Sequence, residues 1–142
     1  MRSIRGLMLF VGLAAVGAVT VRATTADVKV IANPSLTASS ISAAELKDVF
    51  LAVRTSVNGV AVEPVLGRRG PAHEAFLKEY LGKSDVALTT YFRSLVFTGK
   101  AAMPKSLDSE ADVAAYVAKT KGAIGYVSSS ATAPGTKTLD VK

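Results

Sequence analysis

The densest group of residues able to bind an anion lies in the segment LGRRGPAHEAFLKEYLG. It holds two adjacent arginines and His73, the single histidine of the chain. Guanidinium groups and the free N–H groups of a first helical turn are donors that hold oxyanions. Pro71 favours a helix start here and lacks an N–H, which leaves the next two amides as donors. The predicted anion site consists of Arg68, Arg69, Gly70, Ala72 and His73.

The same segment has a structural interpretation that needs no ligand. Two solvated arginines suit a turn from a strand to a helix, and Glu74 is the nearest acid able to balance their charge. His73 precedes Phe76 and Leu77 by three and four residues, at the start of an apolar stripe. A histidine at that place is expected to pack or cap rather than to catalyse.

The residue types give little support for metal binding or catalysis. With zero cysteines and one histidine, the sequence predicts no metal site and no cofactor. A Gly-x-Ser-x-Gly elbow is absent, and FTGK lacks the upstream glycine of a phosphate-binding loop, so an enzyme is not expected. Polar loop residues provide the secondary candidates for ligand binding, which are Thr98, Lys100, Ser128 and Ser129.

The N-terminus has the pattern of a secretory signal peptide, with two early arginines, an apolar run and small residues after it. The run, residues 6–21, is shorter than the roughly 20 residues that span a bilayer, so no stable membrane anchor is expected. Cleavage is predicted after Ala23 or Ala26. Residues 1–26 are then the signal peptide, and residues 27–142 form one domain.

Loss of the signal peptide changes the charge of the chain. Cleavage after residue 23 removes three arginines and lowers the net charge from +6 to +3, so nucleic acid is not an expected partner. A lipoprotein needs a cysteine after its signal peptide, and this chain has none. The sequence therefore predicts a soluble protein of the periplasm whose core is held by packing alone.

Apolar spacing predicts strands that alternate with helices. Strands are expected at DVKVIANP, VAVEPVL, AIGYVS and KTLDVK, whereas Pro64 in the second of these indicates an edge position or a bulge. Helices are expected after the capping residues Ser42, Ser84 and Ser109, and from Pro71. This alternation is typical of an α/β sheet with helices packed on its faces.

The first helix is predicted to cover residues 43–52. Leu46, Val49, Phe50 and Val53 recur at helical spacing and should form one buried stripe. The segments SLTASS and FTGKAAMPKSL are predicted to be loops, because they are rich in polar residues or contain glycine and proline.

The ordered segments SSISAAELKDVF, AHEAFLKEYLG and GAIGYVS resemble the phosphate-type substrate-binding proteins of ABC transporters, in the type 2 periplasmic binding-protein superfamily. The resemblance covers residues 28–128. It implies a single lobe of such a protein, with a mixed sheet flanked by helices. Complete members have two lobes, so the resemblance also implies a protein partner or a second copy that completes the cleft.

The resemblance implies that the chain binds phosphate or another oxyanion in connection with ABC-type transport, without catalysis. Two departures weaken that inference. The family has hydroxyl residues in its anion-binding turn, and this chain has Gly70 and Ala72 at those positions. Ala52 stands where the family usually has glycine. The alternative is an interaction or sensory module derived from a binding-protein lobe, in which the ligand site is vestigial.

Overall fold

The computed structural model describes residues 28–142, so the predicted signal peptide lies outside the described residues. Within this part, strands and helices are interspersed along the chain. The strands are β1 (Val28–Ala32), β2 (Ser40–Ile41), β3 (Ser56–Val57), β4 (Val60–Ala61), β5 (Glu63–Gly67), β6 (Lys105–Leu107), β7 (Ala123–Ser128) and β8 (Lys137–Val141). The helices are α1 (Ala43–Phe50), α2 (Pro71–Phe76) with a π-helical continuation (Leu77–Leu81), α3 (Asp85–Phe97) and α4 (Glu110–Lys119).

Six strands form one mixed sheet in the order β2-β8-β1-β7-β5-β6, and β3 and β4 form a separate hairpin. Strand β5 is parallel to both β6 and β7, whereas β1 is antiparallel to β7 and β8. The predicted α/β class, a mixed sheet flanked by helices, is confirmed. The carboxyl ends of β5, β6 and β7 consequently meet at one edge of the sheet.

Different helices cover the two faces of the sheet. Successive strand residues point to opposite faces, so Val30 and Ile31 of β1 belong to different core clusters. The larger cluster joins one face to α1, α2 and α3. The smaller cluster packs Val113 and Val117 of α4 against Ile31 and its neighbours.

The predicted helix starts are confirmed. The hydroxyls of Ser42, Ser84 and Ser109 each accept a hydrogen bond from the backbone N–H three residues later, at 3.1, 3.2 and 3.1 Å. Pro71 opens α2, and Gly82 ends its continuation with a φ of 60°. In residues 28–142 no helix combines the length and the apolar character that crossing a membrane requires.

The predicted burial of Val53 is wrong. Helix α1 ends at Phe50, and Ala52 then adopts a left-handed φ of 61°. The chain therefore leaves the helical path before Val53, whose accessible fraction is 68%. The other three residues of the predicted stripe are buried.

Pro64 was predicted to lie in an edge strand, and this prediction is wrong. Its strand, β5, lies between β7 and β6. Proline is tolerated there since pairing with β6 begins only at Val65, whereas Pro64 pairs with β7 alone. Its missing N–H therefore breaks no bond to β6.

Two short strands lie in segments predicted to be loops. Strand β2 begins at Ser40, the last residue of SLTASS, and β6 occupies the end of FTGKAAMPKSL. Each is two or three residues long. Strands of this length show no alternation of their own and form because a neighbouring strand supplies hydrogen bonds.

Candidate functional site

The edge where β5, β6 and β7 end carries the candidate site. Residues 68–70 connect β5 to α2, Asp108 follows β6, and Ser128 ends β7. In α/β sheets, ligands bind beyond the carboxyl ends of the parallel strands. The fold thus places the predicted arginines at the edge where such a site is expected.

A groove of about 690 Å³ lies between this segment and the turn that joins α2 to α3. It is lined by four of the five predicted anion-site residues, namely Arg68, Arg69, Gly70 and His73. Two further positive charges come from Lys78 and Lys83, and two negative charges come from Glu74 and Asp85. Cations are therefore in excess along the groove.

Part of this charge already has a partner. Nη1 of Arg68 lies 3.1 Å from Oδ1 of Asp108, but both side chains are largely exposed, at 61% and 76%. Such a pair in water contributes little, and the guanidinium retains further N–H donors. Arg69 and Lys83 form no ion pair within residues 28–142, and Nζ of Lys83 lies 5.4 Å from the centre of the Tyr91 ring.

His73 lies under the groove rather than in its open part. Its accessible fraction is 5%, and its ring stacks on that of Tyr126 with 6.0 Å between centroids. Nε2 lies 3.0 Å from Oδ1 of Asp85, and Nδ1 lies 2.5 Å from the Tyr126 hydroxyl. That hydroxyl accepts the N–H of Gly67 at 3.0 Å.

One tautomer of His73 satisfies every group in this cluster. The Tyr126 hydroxyl donates its proton to Nδ1, and Nε2–H donates to the Asp85 carboxylate. Burial raises the pKa of Tyr126, the N–H of Gly67 lowers it in part, and the charge of Asp85 raises it further. The tyrosine therefore stays neutral and acts as a hydrogen-bonded link beneath the groove.

Gly70 and Ala72, at the start of α2, lie on different surfaces. Gly70 caps the helix without a side-chain bond, and Ala72 is buried and does not line the groove. Ala72 instead lines a cleft of about 10 Å³ towards Ser109 and Glu110. A cavity of that size holds at most about one water molecule.

The four secondary candidates are not among the residues that line the groove. The Thr98 hydroxyl donates to the Ser94 carbonyl at 2.9 Å and closes the end of α3. Both the N–H and the hydroxyl of Ser128 donate to the carboxylate of Glu110, at 2.8 and 2.9 Å. Lys100 and Ser129 are exposed.

Sequence reasoning did not include Lys78, Lys83 and Asp85 in the site. One available signal was the i, i+4 spacing of Glu74 in α2 and Lys78 in its π-helical continuation, which places both side chains on one polar face close to the two arginines. No group of three or more potential metal ligands occurs within the described part of the chain.

No family model and no curated protein matches the sequence, whereas solved structures match the fold. A protein from Clostridium perfringens, assigned as a phosphate ABC transporter substrate-binding protein and solved with bound phosphate, has a TM-score of 0.63. Its sequence identity is 17%, over 81% of this chain and 44% of that one. The chain adopts part of a periplasmic binding-protein fold.

Two further structures share the periplasmic binding-protein fold at a TM-score of 0.55. An ABC-type phosphate transport receptor from Vibrio cholerae has 12% identity, over 81% of this chain and 46% of the receptor. A structure from Planctomyces limnophilus, described as that of a possible phosphate binding protein, has 15% identity, over 82% of this chain and 41% of that one. The resemblance found in the sequence is confirmed for the fold, and the chain spans less than half the length of these proteins.

Proposed function

We propose that this chain is an exported binding-protein-like domain that binds phosphate or another small oxyanion, without catalysis, in connection with ABC-type transport in the periplasm. The observation that carries the proposal is the cation-rich groove at the carboxyl edge of the sheet. It occurs in a fold shared with a protein solved with bound phosphate.

The charges define how the oxyanion is held. Arg69 and Lys83 are free of ion pairs in the described part of the chain, and Arg68 retains donors beyond its bond to Asp108. Charge-assisted hydrogen bonds from arginine to a tetrahedral oxyanion are the strong type of contact. The groove is open to solvent, so we expect modest affinity that falls as salt screens the charges.

We further propose that a protein partner or a second copy of the chain covers the groove. The chain spans 44% of the Clostridium perfringens protein, and an open groove desolvates an anion incompletely. Sedimentation velocity with and without phosphate tests the second copy. A dimer favoured by phosphate supports it, and a monomer under both conditions excludes it in favour of a partner protein.

Calorimetric titration with phosphate and with sulfate, at low and moderate salt, tests oxyanion binding. We expect millimolar affinity or better, weaker at the higher salt, and a loss of about tenfold in Arg69→Ala. That factor equals about 1.4 kcal/mol, typical of one charge-assisted hydrogen bond.

Arg93→Ala is the matched control, because Arg93 is an exposed arginine of α3 that does not line the groove. It should bind phosphate like the wild type. Absence of binding to either anion at millimolar concentration, or equal affinities for wild type and Arg69→Ala, would contradict the proposal.

A further inference from the structure

A second, smaller pocket of about 190 Å³ opens beside the groove. It lies between α3 and the residues that lead into β6, and both polar and apolar side chains line it. Its accessible apolar surface includes Met103 and Pro104, and the buried side chains of Leu66, Leu88 and Phe92 lie behind it. This pocket, here called the α3 pocket, meets the groove at Arg68, His73 and Asp85, which line both.

An inorganic oxyanion has no apolar part that could contact Met103 and Pro104, whereas an organic oxyanion could fill both the groove and the α3 pocket. A groove of about 690 Å³ lies within the range of about 300–1,000 Å³ that is typical of sites for larger organic ligands. Such sites combine an apolar lining with a few polar groups that orient the ligand. Here the polar group at the junction is the Arg68 guanidinium.

The charge of Asp85 limits which part of a ligand can enter the α3 pocket from the groove. Its carboxylate lies at the junction, where it accepts the hydrogen bond from His73. A negative charge at that point disfavours an anionic group and tolerates an uncharged one. The anionic end of a ligand is therefore directed towards Arg69 and Lys83, and its uncharged end towards the pocket.

We infer that the ligand of the proposed site is an organic oxyanion, of the class of phosphonates or phosphate monoesters with a small apolar substituent. The oxyanion contacts Arg69 and Lys83, and the substituent passes Arg68 and Asp85 at the junction and occupies the α3 pocket. This inference rests on the proposed oxyanion binding and adds the substituent to it.

Titration with inorganic phosphate, methylphosphonate and propylphosphonate tests the inference, because the two phosphonates share one head group. Burial of the two additional CH₂ groups should make propylphosphonate bind about tenfold more tightly than methylphosphonate. Thr89→Phe fills the α3 pocket, which Thr89 lines, and should abolish that difference. Affinity for inorganic phosphate should stay within about twofold, because Thr89 does not line the groove.

Thr90→Phe is the matched control, since the neighbouring Thr90 is exposed and does not line the pocket. It should retain the tenfold preference, and thermal unfolding should show both variants folded. Equal binding of the two phosphonates would overturn the inference while phosphate binding upholds the proposed function. A preference that survives in Thr89→Phe would equally overturn it, and failure of all three anions to bind would overturn both proposals.

Discussion

The Tyr126 hydroxyl lies 2.5 Å from Nδ1 of His73 and accepts the N–H of Gly67 at 3.0 Å. One phenol thereby joins β7, α2 and the end of β5 directly beneath the groove. His73 extends the link to Asp85, the first residue of α3. The single histidine of the chain therefore orders the elements that carry the site, and its ring nitrogens are both occupied.

Replacement of Tyr126 by phenylalanine should lower the free energy of unfolding by about 1–3 kcal/mol. The variant leaves Gly67 N–H and Nδ1 of His73 without their shared partner in a buried place. Urea unfolding at pH 7 measures the change. Tyr80→Phe is the control, because the Tyr80 hydroxyl forms no hydrogen bond within residues 28–142, and its cost should stay below about 0.5 kcal/mol. Equal costs for the two variants would refute the network.

Alkaline pH should weaken the fold through the same residue. Burial raises the pKa of Tyr126 above the ordinary value of 10.0, so the folded protein retains a proton that the unfolded chain releases. Its contribution is therefore full below pH 10 and lost as the pH rises further, by up to about 1.4 kcal/mol per pH unit. Urea unfolding from pH 8 to 11 should show a shallower decline in Tyr126→Phe than in wild type.

Gly70→Ala should destabilise the fold by about 1–3 kcal/mol. Gly70 has φ 109° and ψ 170°, a backbone conformation that side chains rarely adopt. Gly67→Ala is the control, since its φ is ordinary and an added Cβ would lie at 3.8 Å from its nearest neighbours. Thermal unfolding of both variants measures the effect. A Gly67→Ala variant less stable than Gly70→Ala would contradict the assigned backbone conformation.

Ala52→Gly should stabilise the protein by about 1 kcal/mol. Ala52 has a φ of 61°, which costs a residue with a side chain roughly 1–2 kcal/mol and costs glycine little. Ala115→Gly, in the exposed middle of α4, should have the opposite sign and cost about 0.5–1 kcal/mol. Guanidinium unfolding compares the wild type with the two variants. A destabilised Ala52→Gly variant would contradict the prediction and show that the backbone of Ala52 relaxes.

Export should remove the N-terminal segment. Expression of the full chain in a Gram-negative host, followed by intact mass measurement of the periplasmic fraction, should give a protein that begins at Thr24 or Asp27. Changing Ala23 and Ala26 together to bulky residues should leave the precursor uncleaved, because signal peptidase requires small residues there. An unprocessed wild-type chain in the cytoplasm would contradict the predicted signal peptide.

Much of the site could be anticipated from one segment, because Arg68, Arg69, Gly70 and His73 are consecutive or nearly so and the turn that carries them is local. The sequence could not show that Lys83 faces the same groove. Nor could it show that Ala72 lines a separate, smaller cleft. Those positions depend on how α2 and α3 pack on the sheet.

The sequence by itself determined the helix starts, the alternation of strands and helices, and the family resemblance. The helix starts rest on interactions over three or four residues, such as the bond that the N–H of Asp112 donates to the Ser109 hydroxyl. Only the tertiary structure decided the bond between His73 and Tyr126, which are 53 residues apart, and the place of Pro64 inside the sheet. Contacts between distant residues depend on how many elements pack together, and no local spacing encodes that arrangement.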